Sequence, residues 1–358
     1  MQINEISTEI LRTIRKGTVI PAHPLALTAD RKLDARHQRA LTRYYIDAGA
    51  GGIAVGVHST QFEIRDPQIG LFEPVLRLAS QTIDDWCRRR GRPVLKIAGV
   101  CGKTEQALRE AQFARDAGYH ACLVSLGALS NESLPALVTH CRQVASVMPV
   151  IGFYLQPSVG GRILPYRFWR EFAEIPNVLA IKIAPFNRYQ TLDVVRAVCD
   201  AGRESEIALY TGNDDNILVD LLTEYHIQTL QGERKARIVG GLLGHWAVWT
   251  RKAVEQLESV HSLVSCGTPI PPSMLTLAAQ ITDANAAFFD PSHNFAGCIP
   301  GIHEVLRRQG LMEGTWCLNP AETLSPGQAE EIDRVYASYP QLNDDDFVRA
   351  HLQEWLEA

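Results

Sequence analysis

Val178-Leu-Ala-Ile-Lys-Ile-Ala184 is a continuous apolar run interrupted by a single lysine. A run this short and this apolar suits a strand buried on both faces, as in a parallel sheet. Runs of the same kind begin near Ala121 (ACLVS), Val150 (VIGFY), Ile207 (IALYT) and Arg237 (RIVGGLL), at a spacing close to 29 residues. That spacing holds one strand, one helix and their connections. Further runs begin near Thr18 (TVIPA), Gly52 (GIAVGV) and Pro93 (PVLKIAG). The segments between them carry helical spacing, as in Leu41, Tyr44, Tyr45 and Ala48, or Leu192, Val195, Val198 and Cys199, or Ile217, Leu221, Leu222 and Tyr225. Glycines at 49, 118 and 202 stand where a helix C-terminus needs positive φ. Eight strands alternating with helices predict an α/β fold, a (β/α)8 TIM barrel. A doubly wound open sheet is the competing arrangement.

Residues 1–262 are read as the barrel with an N-terminal helix, the latter from the spacing of Ile3, Ile6, Ile10, Leu11 and Ile14. Residues 263–358 are read as a C-terminal helical region, with helices over Pro272–Phe289, Phe295–Gln309, Pro326–Tyr336 and Asp344–Leu356. Tyr225–Arg237 reads as a surface insertion, and Ser265–Pro269 as a linker.

The chain has 358 residues, 46% of them hydrophobic, enough to bury a large core. A formal net charge of −5 with no basic stripe excludes nucleic acid as the expected partner. No stretch reaches the roughly 18 apolar residues of a membrane span. The eight cysteines are scattered without a CxxC pair, the pattern of reduced thiols in a cytoplasmic protein.

In such barrels chemistry sits at the C-terminal ends of the strands. Lys182 is the first candidate there: desolvation lowers a lysine's pKa and makes its neutral amine available for attack on a carbonyl. The alternative is a lysine paired with a neighbouring carboxylate. Lys96, inside VLKIAG, is a competitor that pattern does not separate from Lys182. Tyr154, on the preceding strand, is either a proton carrier or a core tyrosine. The turn Gly56-Val57-His58-Ser59 offers successive amides and a hydroxyl to a carboxylate, and His58 is a candidate base. Gly212, Asp214 and Asp215 end the seventh run; the two carboxylates either hold substrate hydroxyls or cap the following helix. Gly240, Gly241 and Gly244, beside His245, would let a ligand approach the backbone.

FYLQP at 153–157, followed 28 residues after Tyr154 by the lysine of LAIKIA, resembles the dihydrodipicolinate synthase / N-acetylneuraminate lyase family. The similarity extends from Gly17 to the final helices. It implies a class I aldolase or dehydratase on a barrel with a C-terminal helical region. It implies that Lys182, rather than Lys96, condenses with the 2-oxo group of pyruvate or a related acid, with Tyr154 as the proton shuttle. It places Gly56, Val57 and Ser59 at the carboxylate of the 2-oxo acid, and Gly212, Asp214 and Asp215 at substrate hydroxyls. No cofactor or metal is implied, because the imine supplies the electron sink. A homodimer or homotetramer is the implied assembly.

The sequence departs from the family pattern at several points. Val57 and His58 replace two threonines, and His58 is expected to take the second one's place in proton transfer. Ser125–Ser130 holds no tyrosine, Val159 replaces an arginine, and Ile183 replaces an acidic residue. These changes argue against the lysine-biosynthetic synthase itself. Val57, Leu155, Val159 and Ile183 suggest an apolar acceptor such as a hydrophobic aldehyde. The expected activity is a carbon–carbon lyase acting on a 2-oxo acid. A dehydratase of a 2-keto-3-deoxy sugar acid and a non-catalytic binding protein are the alternatives.

Overall fold

The computed structural model describes residues 1–357. In chain order it begins with α1 (Thr8–Lys16), β1 (Val19–Pro21), α2 (Ala35–Ala48), β2 (Gly52–Val55) and α3 (Phe72–Arg90). Next come β3 (Leu95–Val100), α4 (Thr104–Asp116), β4 (Ala121–Val124), α5 (Leu134–Val147) and β5 (Val150–Leu155). These are followed by α6 (Tyr166–Phe172), β6 (Val178–Ala184), α7 (Arg188–Asp200), β7 (Ala208–Thr211) and α8 (Ile217–Leu222). The remainder is β8 (Glu224–Thr229), β9 (Gly232–Leu243), α9 (Thr250–Cys266), α10 (Pro272–Phe289), α11 (Cys298–Arg308), α12 (Gln328–Ser338) and α13 (Asp345–Glu357). Eight parallel strands alternating with helices make this a (β/α)8 barrel with a C-terminal helical extension. Among the described residues no helix is long and apolar enough to cross a membrane.

The chain divides into two compact units, one of Met1–Thr18 with Leu95–Leu242, the other of Val19–Val94 with Leu243–Ala358. In the first, β3, β4, β5, β6, β7 and β9 pair in parallel and in sequential order. A doubly wound sheet would reverse its order at a switch point, and this run does not. Pairing sets the two faces. Phe153, Lys182, Tyr210 and Gly240 are successive register partners on one face. On the other, a Cβ built on Gly152 would lie 2.8 Å from Phe172 Cε1 and 3.0 Å from Trp169 Cζ3, so this face meets α6. On the Lys182 face the Tyr210 hydroxyl, fully buried, donates to the carbonyl of Ile14 at 2.8 Å and so satisfies an orphan acceptor in the last turn of α1.

Two expectations are corrected. Tyr225–Arg237 is a β-hairpin, β8 pairing antiparallel with the first half of β9 around Gly232 at φ 111°. Tyr225 therefore does not extend α8, which stops at Leu222. The linker is also shorter than expected. Helix α9 continues through Ser265 and Cys266 and stops at Gly267, in the left-handed region.

In the second unit, Ala22, just after β1, forms a parallel bridge with Ala54 in β2. Buried Asp344, just before α13, accepts from Tyr44 Oη at 2.7 Å, Arg251 N at 3.0 Å and Gln309 Nε2 at 2.8 Å. One carboxylate thus ties α2, α9 and α11 to the start of α13. Asp47 does the same further along, accepting the indole N–H of Trp86 and of Trp355, each at 2.8 Å.

Tyr210→Phe keeps the ring and leaves the Ile14 carbonyl without its donor. It should cost about 1–2 kcal/mol of stability, read as a lowered urea midpoint with an unchanged slope.

Candidate active site

Lys182 is buried in the middle of β6, with its side chain on the face opposite the α6 side. Burial lowers its amine from the ordinary 10.5 to about 8, and the charge of Asp214 opposes that fall. Its Nζ lies 4.5 Å from the centre of the Phe153 ring. A Cβ on Gly212 would stand 2.7 Å from Lys182 Cε and 2.7 Å from Ala184 Cβ. Gly212 has no side chain because the lysine stem occupies that space.

Lys96 is excluded from this face. Val100 pairs with Val124, and Val124 with Gly152, so Val100, Ala98 and Lys96 alternate onto the α6 side of the sheet. The two lysines, inseparable by pattern, are separated by register.

Tyr154 stands one position out of register with Lys182. It pairs with Ile183 and shares the face of Gly152. Its ring packs on Trp169 at 5.3 Å, and its hydroxyl accepts the Leu164 N–H at 3.2 Å. Burial raises its pKa, and the Leu164 contact works against that rise. The register thus sets Tyr154 on the sheet face that meets α6. The cause is one extra residue in β6: Val150 pairs with Val178, but Ile151 pairs with Ala180. Counting from the strand starts sets Tyr154 opposite Lys182; the irregularity at Leu179 puts Phe153 there instead. Ile183 also faces the helices, so it does not contribute to an apolar pocket at the lysine.

Asp214 and Asp215 separate. Asp214 is buried; Asp215 is exposed, 3.9 Å from Arg188. Neither occupies the N-cap position of α8, which is Asn216. The loop is pinned from behind by Asp220. It accepts from Thr211 Oγ1 at 2.7 Å, Asn213 Nδ2 at 2.9 Å and Asn216 Nδ2 at 2.9 Å, and it pairs with Arg188. Asn213 Oδ1 also accepts the Phe186 N–H at 3.0 Å. Nothing in the sequence pattern singles out Asp220, which reads as an ordinary polar residue of an amphipathic helix.

The turn after β2 belongs to the second unit. Gly56 adopts φ 75°. Its amide and that of Val57 donate to Thr60 Oγ1, at 3.0 and 3.2 Å, and that hydroxyl donates to the His23 carbonyl at 2.7 Å. Ser59 Oγ donates to the Ala22 carbonyl at 2.8 Å. The amides expected to hold a carboxylate at Gly56 and Val57 are therefore committed to Thr60, a residue the sequence reading passed over. His58 is half-buried, with its ring 6.0 Å from that of Phe62. The structure thus brings Lys182, Gly212 and Asp214 together in the first unit, whereas Gly56, Val57, His58 and Ser59 lie in the second.

The space beside Gly240, in β9, and Gly244, just after it, is filled by protein. A Cβ on Gly240 would meet Thr18 O at 2.5 Å and Tyr210 Cε1 at 2.8 Å, and one on Gly244 would meet Phe289 Cζ at 2.7 Å. They permit close packing rather than the approach of a ligand.

The Dihydrodipicolinate synthetase family model matches residues 16–224. A chloroplastic 4-hydroxy-tetrahydrodipicolinate synthase from Glycine max is 25% identical over 214 residues, which are 59% of this chain and 58% of that protein. The chain thus matches less than two thirds of that relative's length. Dihydrodipicolinate synthase from Oceanobacillus iheyensis superposes with a TM-score of 0.74 at 15% identity, covering 93% of this chain and 99% of the other. A prophage protein of the dihydrodipicolinic acid synthase family from E. coli K12, solved with pyruvate, gives 0.68 at 19% identity, covering 91% and 98%.

A lysine whose pKa falls on folding destabilises the protein below the folded value and costs nothing above the unfolded one. Stability therefore rises with pH between about 8 and 10.5. Lys182→Met removes the charge and keeps the length. At pH 7 it should stabilise the protein, on the order of 3 kcal/mol from a shift of this size, and flatten the rise over that window. Thermal melts from pH 6 to 11 read both effects.

Proposed function

We propose that this chain, which belongs to the dihydrodipicolinate synthetase family, is a lyase that makes or breaks a carbon–carbon bond beside the carbonyl of a 2-oxo acid, through an imine on Lys182. The observation that carries the reading is the placement of that amine. It is buried, lowered to about 8 and set on the sheet face away from α6. An amine near that value is neutral in a useful fraction at physiological pH and is a nucleophile toward ketones. Once condensed, the protonated imine draws electrons from the adjacent carbon, so bond making and breaking there need no separate electron sink. The E. coli relative solved with pyruvate supports a small 2-oxo acid as the substrate class.

Phe153 helps the cycle once the imine has formed. Its ring face is electron-rich and stabilises a cation close by. The same contact favours the iminium, which is positively charged whatever the amine's own titration. A dehydratase acting on a 2-keto-3-deoxy sugar acid begins with the same imine. Buried Asp214 keeps that reading in view, because loss of water needs an acid beside the imine. Product analysis separates the two: an aldehyde with pyruvate, or a dehydrated acid with its carbon skeleton intact.

Incubation with pyruvate followed by borohydride should give a covalent adduct, seen by mass spectrometry of the intact protein and absent in Lys182→Met. An adduct mapped to Lys96, or none under any condition, contradicts the proposal. The second result points to a binding protein on the same fold.

A further inference from the structure

We propose that Asp220 is a positioning residue for the chemistry of Lys182: it grips the residues on either side of Gly212 and so keeps that glycine's backbone flush against the lysine stem, closing the space through which water would reach the amine. This rests on the Lys182 reading above. The effect passes through the backbone of residues 211–213 rather than through contact with the reacting atoms. A Cβ on Gly212 would stand 2.7 Å from Lys182 Cε and 3.1 Å from Lys182 Cγ. A backbone this close leaves no room for water on that side of the stem, as long as the turn does not move.

One carboxylate oxygen makes the grip. Asp220 Oδ2 accepts from Thr211 Oγ1 at 2.7 Å and from Asn213 Nδ2 at 2.9 Å, the two neighbours of Gly212. The Thr211 hydroxyl in turn accepts the Asn213 N–H at 3.1 Å, which closes a ring over the glycine. The Gly212 N–H donates to the Ile183 carbonyl at 2.7 Å, so the turn is fastened to β6 one residue beyond the lysine. Asp220 Oδ1 is held from its other side by Asn216 Nδ2 at 2.9 Å and by Arg188. Asn213 also reaches the chain that follows β6. Its Oδ1 accepts the N–H of Phe186, which sits in the left-handed region at φ 53°. A phenylalanine keeps that conformation only where its surroundings hold it. Thr211, Asn213 and Asp220 are all buried. A buried carboxylate is costly unless its oxygens are fully paired, and these pairings tie the ends of β6 and β7 to the first residue of α7 and to the turn before α8.

Charge and packing pull the amine in opposite directions, which makes the role measurable. Asp214 is the charge that acts on the Lys182 amine. Asp220 is faced by Arg188 from α7, and its own charge reaches Asp215 on the turn and Tyr225 on β8. Each oxygen of Asp220 takes two donors. Asparagine in its place therefore sets an N–H against two donors whichever way the amide is turned. By charge alone, Asp220→Asn removes a negative group and leaves Arg188 less opposed, so the amine's midpoint falls. If Asp220 acts by position, the turn loosens, water reaches the amine and the midpoint climbs toward the ordinary 10.5.

The test uses pyruvate and cyanoborohydride, with the initial rate of adduct formation followed across neutral and alkaline pH. The Lys182 midpoint is read by carbon-13 NMR of separately methylated protein, and thermal melts confirm folding. In Asp220→Asn the midpoint should rise by about one unit and trapping at neutral pH should fall about tenfold. Raising the pH by about one unit should restore the wild-type rate, a recovery that a damaged fold would not show. Thr211→Val removes the hydroxyl that joins Asp220 to the Asn213 N–H with little change of shape. It should move the midpoint the same way by less, and it decides the question if Asp220→Asn does not fold. Asp47→Asn, which frees Trp86 and Trp355 in the second unit, should lower the melting temperature and leave the midpoint in place. A midpoint at or below the wild-type value in the folded variants, or one that moves as far in Asp47→Asn, overturns the positioning role while leaving the imine standing. Absence of an adduct in the wild type overturns the imine, and the positioning role with it.

Discussion

An amine inside an apolar wall is comfortable only when neutral, and the strands around Lys182 are arranged about that one fact. Its neighbours along the strand on the same face are Ala180 and Ala184, Gly212 stands just past β7, and the flanking strands bring the rings of Phe153 and Tyr210 to the same face. The aromatic face of Phe153 and the charge of Asp214 soften the cost of the protonated form without abolishing it. The outcome is a nitrogen that gives up its proton more readily than an ordinary lysine, at some expense to stability. Stability surrendered at a single buried group in this way is the usual mark of a site kept for chemistry.

Register turns this local fact into an architecture. In a strand, neighbours point to opposite faces, so one extra residue exchanges the two sides. The irregularity at Leu179 does this between β5 and β6. It brings Phe153 to the lysine and sends Tyr154 into the packing beside Trp169. The helix-facing side is correspondingly dense, with Gly152 leaving room for Phe172 and Trp169. Behind β7, Asp220 gathers Thr211, Asn213, Asn216 and Arg188, so the loop that carries Asp214 is fixed by a polar cluster rather than by apolar packing. Three of the bonds to Asp220 come from side chains within nine residues of it, so the cluster is assembled locally.

Much of this was legible in the order of residues. The repeat of apolar runs, each followed by a helical pattern, is a direct consequence of strands buried on both faces, and the eight barrel strands fall where those runs do. α10 spans Pro272–Phe289 as its spacing predicts, with prolines where the helix starts. The hairpin of β8 and β9 was less legible, because alternating charged and apolar residues in EYHIQT also suit a solvated loop. The facing of Tyr154 was not legible at all. Periodicity gives the alternation within one strand, but the phase between two strands depends on a bulge that leaves no mark in composition. The glycines of the eighth barrel strand were misread for a related reason. A glycine beside a ligand and a glycine beside a packed side chain look alike in sequence, and only Thr18, Tyr210 and Phe289 decide between them.

The central claim is that the Lys182 nitrogen is desolvated enough to be neutral near physiological pH. Carbon-13 NMR of reductively methylated protein, with the Lys182 resonance assigned by its loss in Lys182→Met, measures this directly. The account predicts a midpoint near 8, well below the lysines at the surface. A midpoint at the ordinary value of 10.5 would contradict it, since the amine would then be charged and solvated and the apolar wall would not be acting on it.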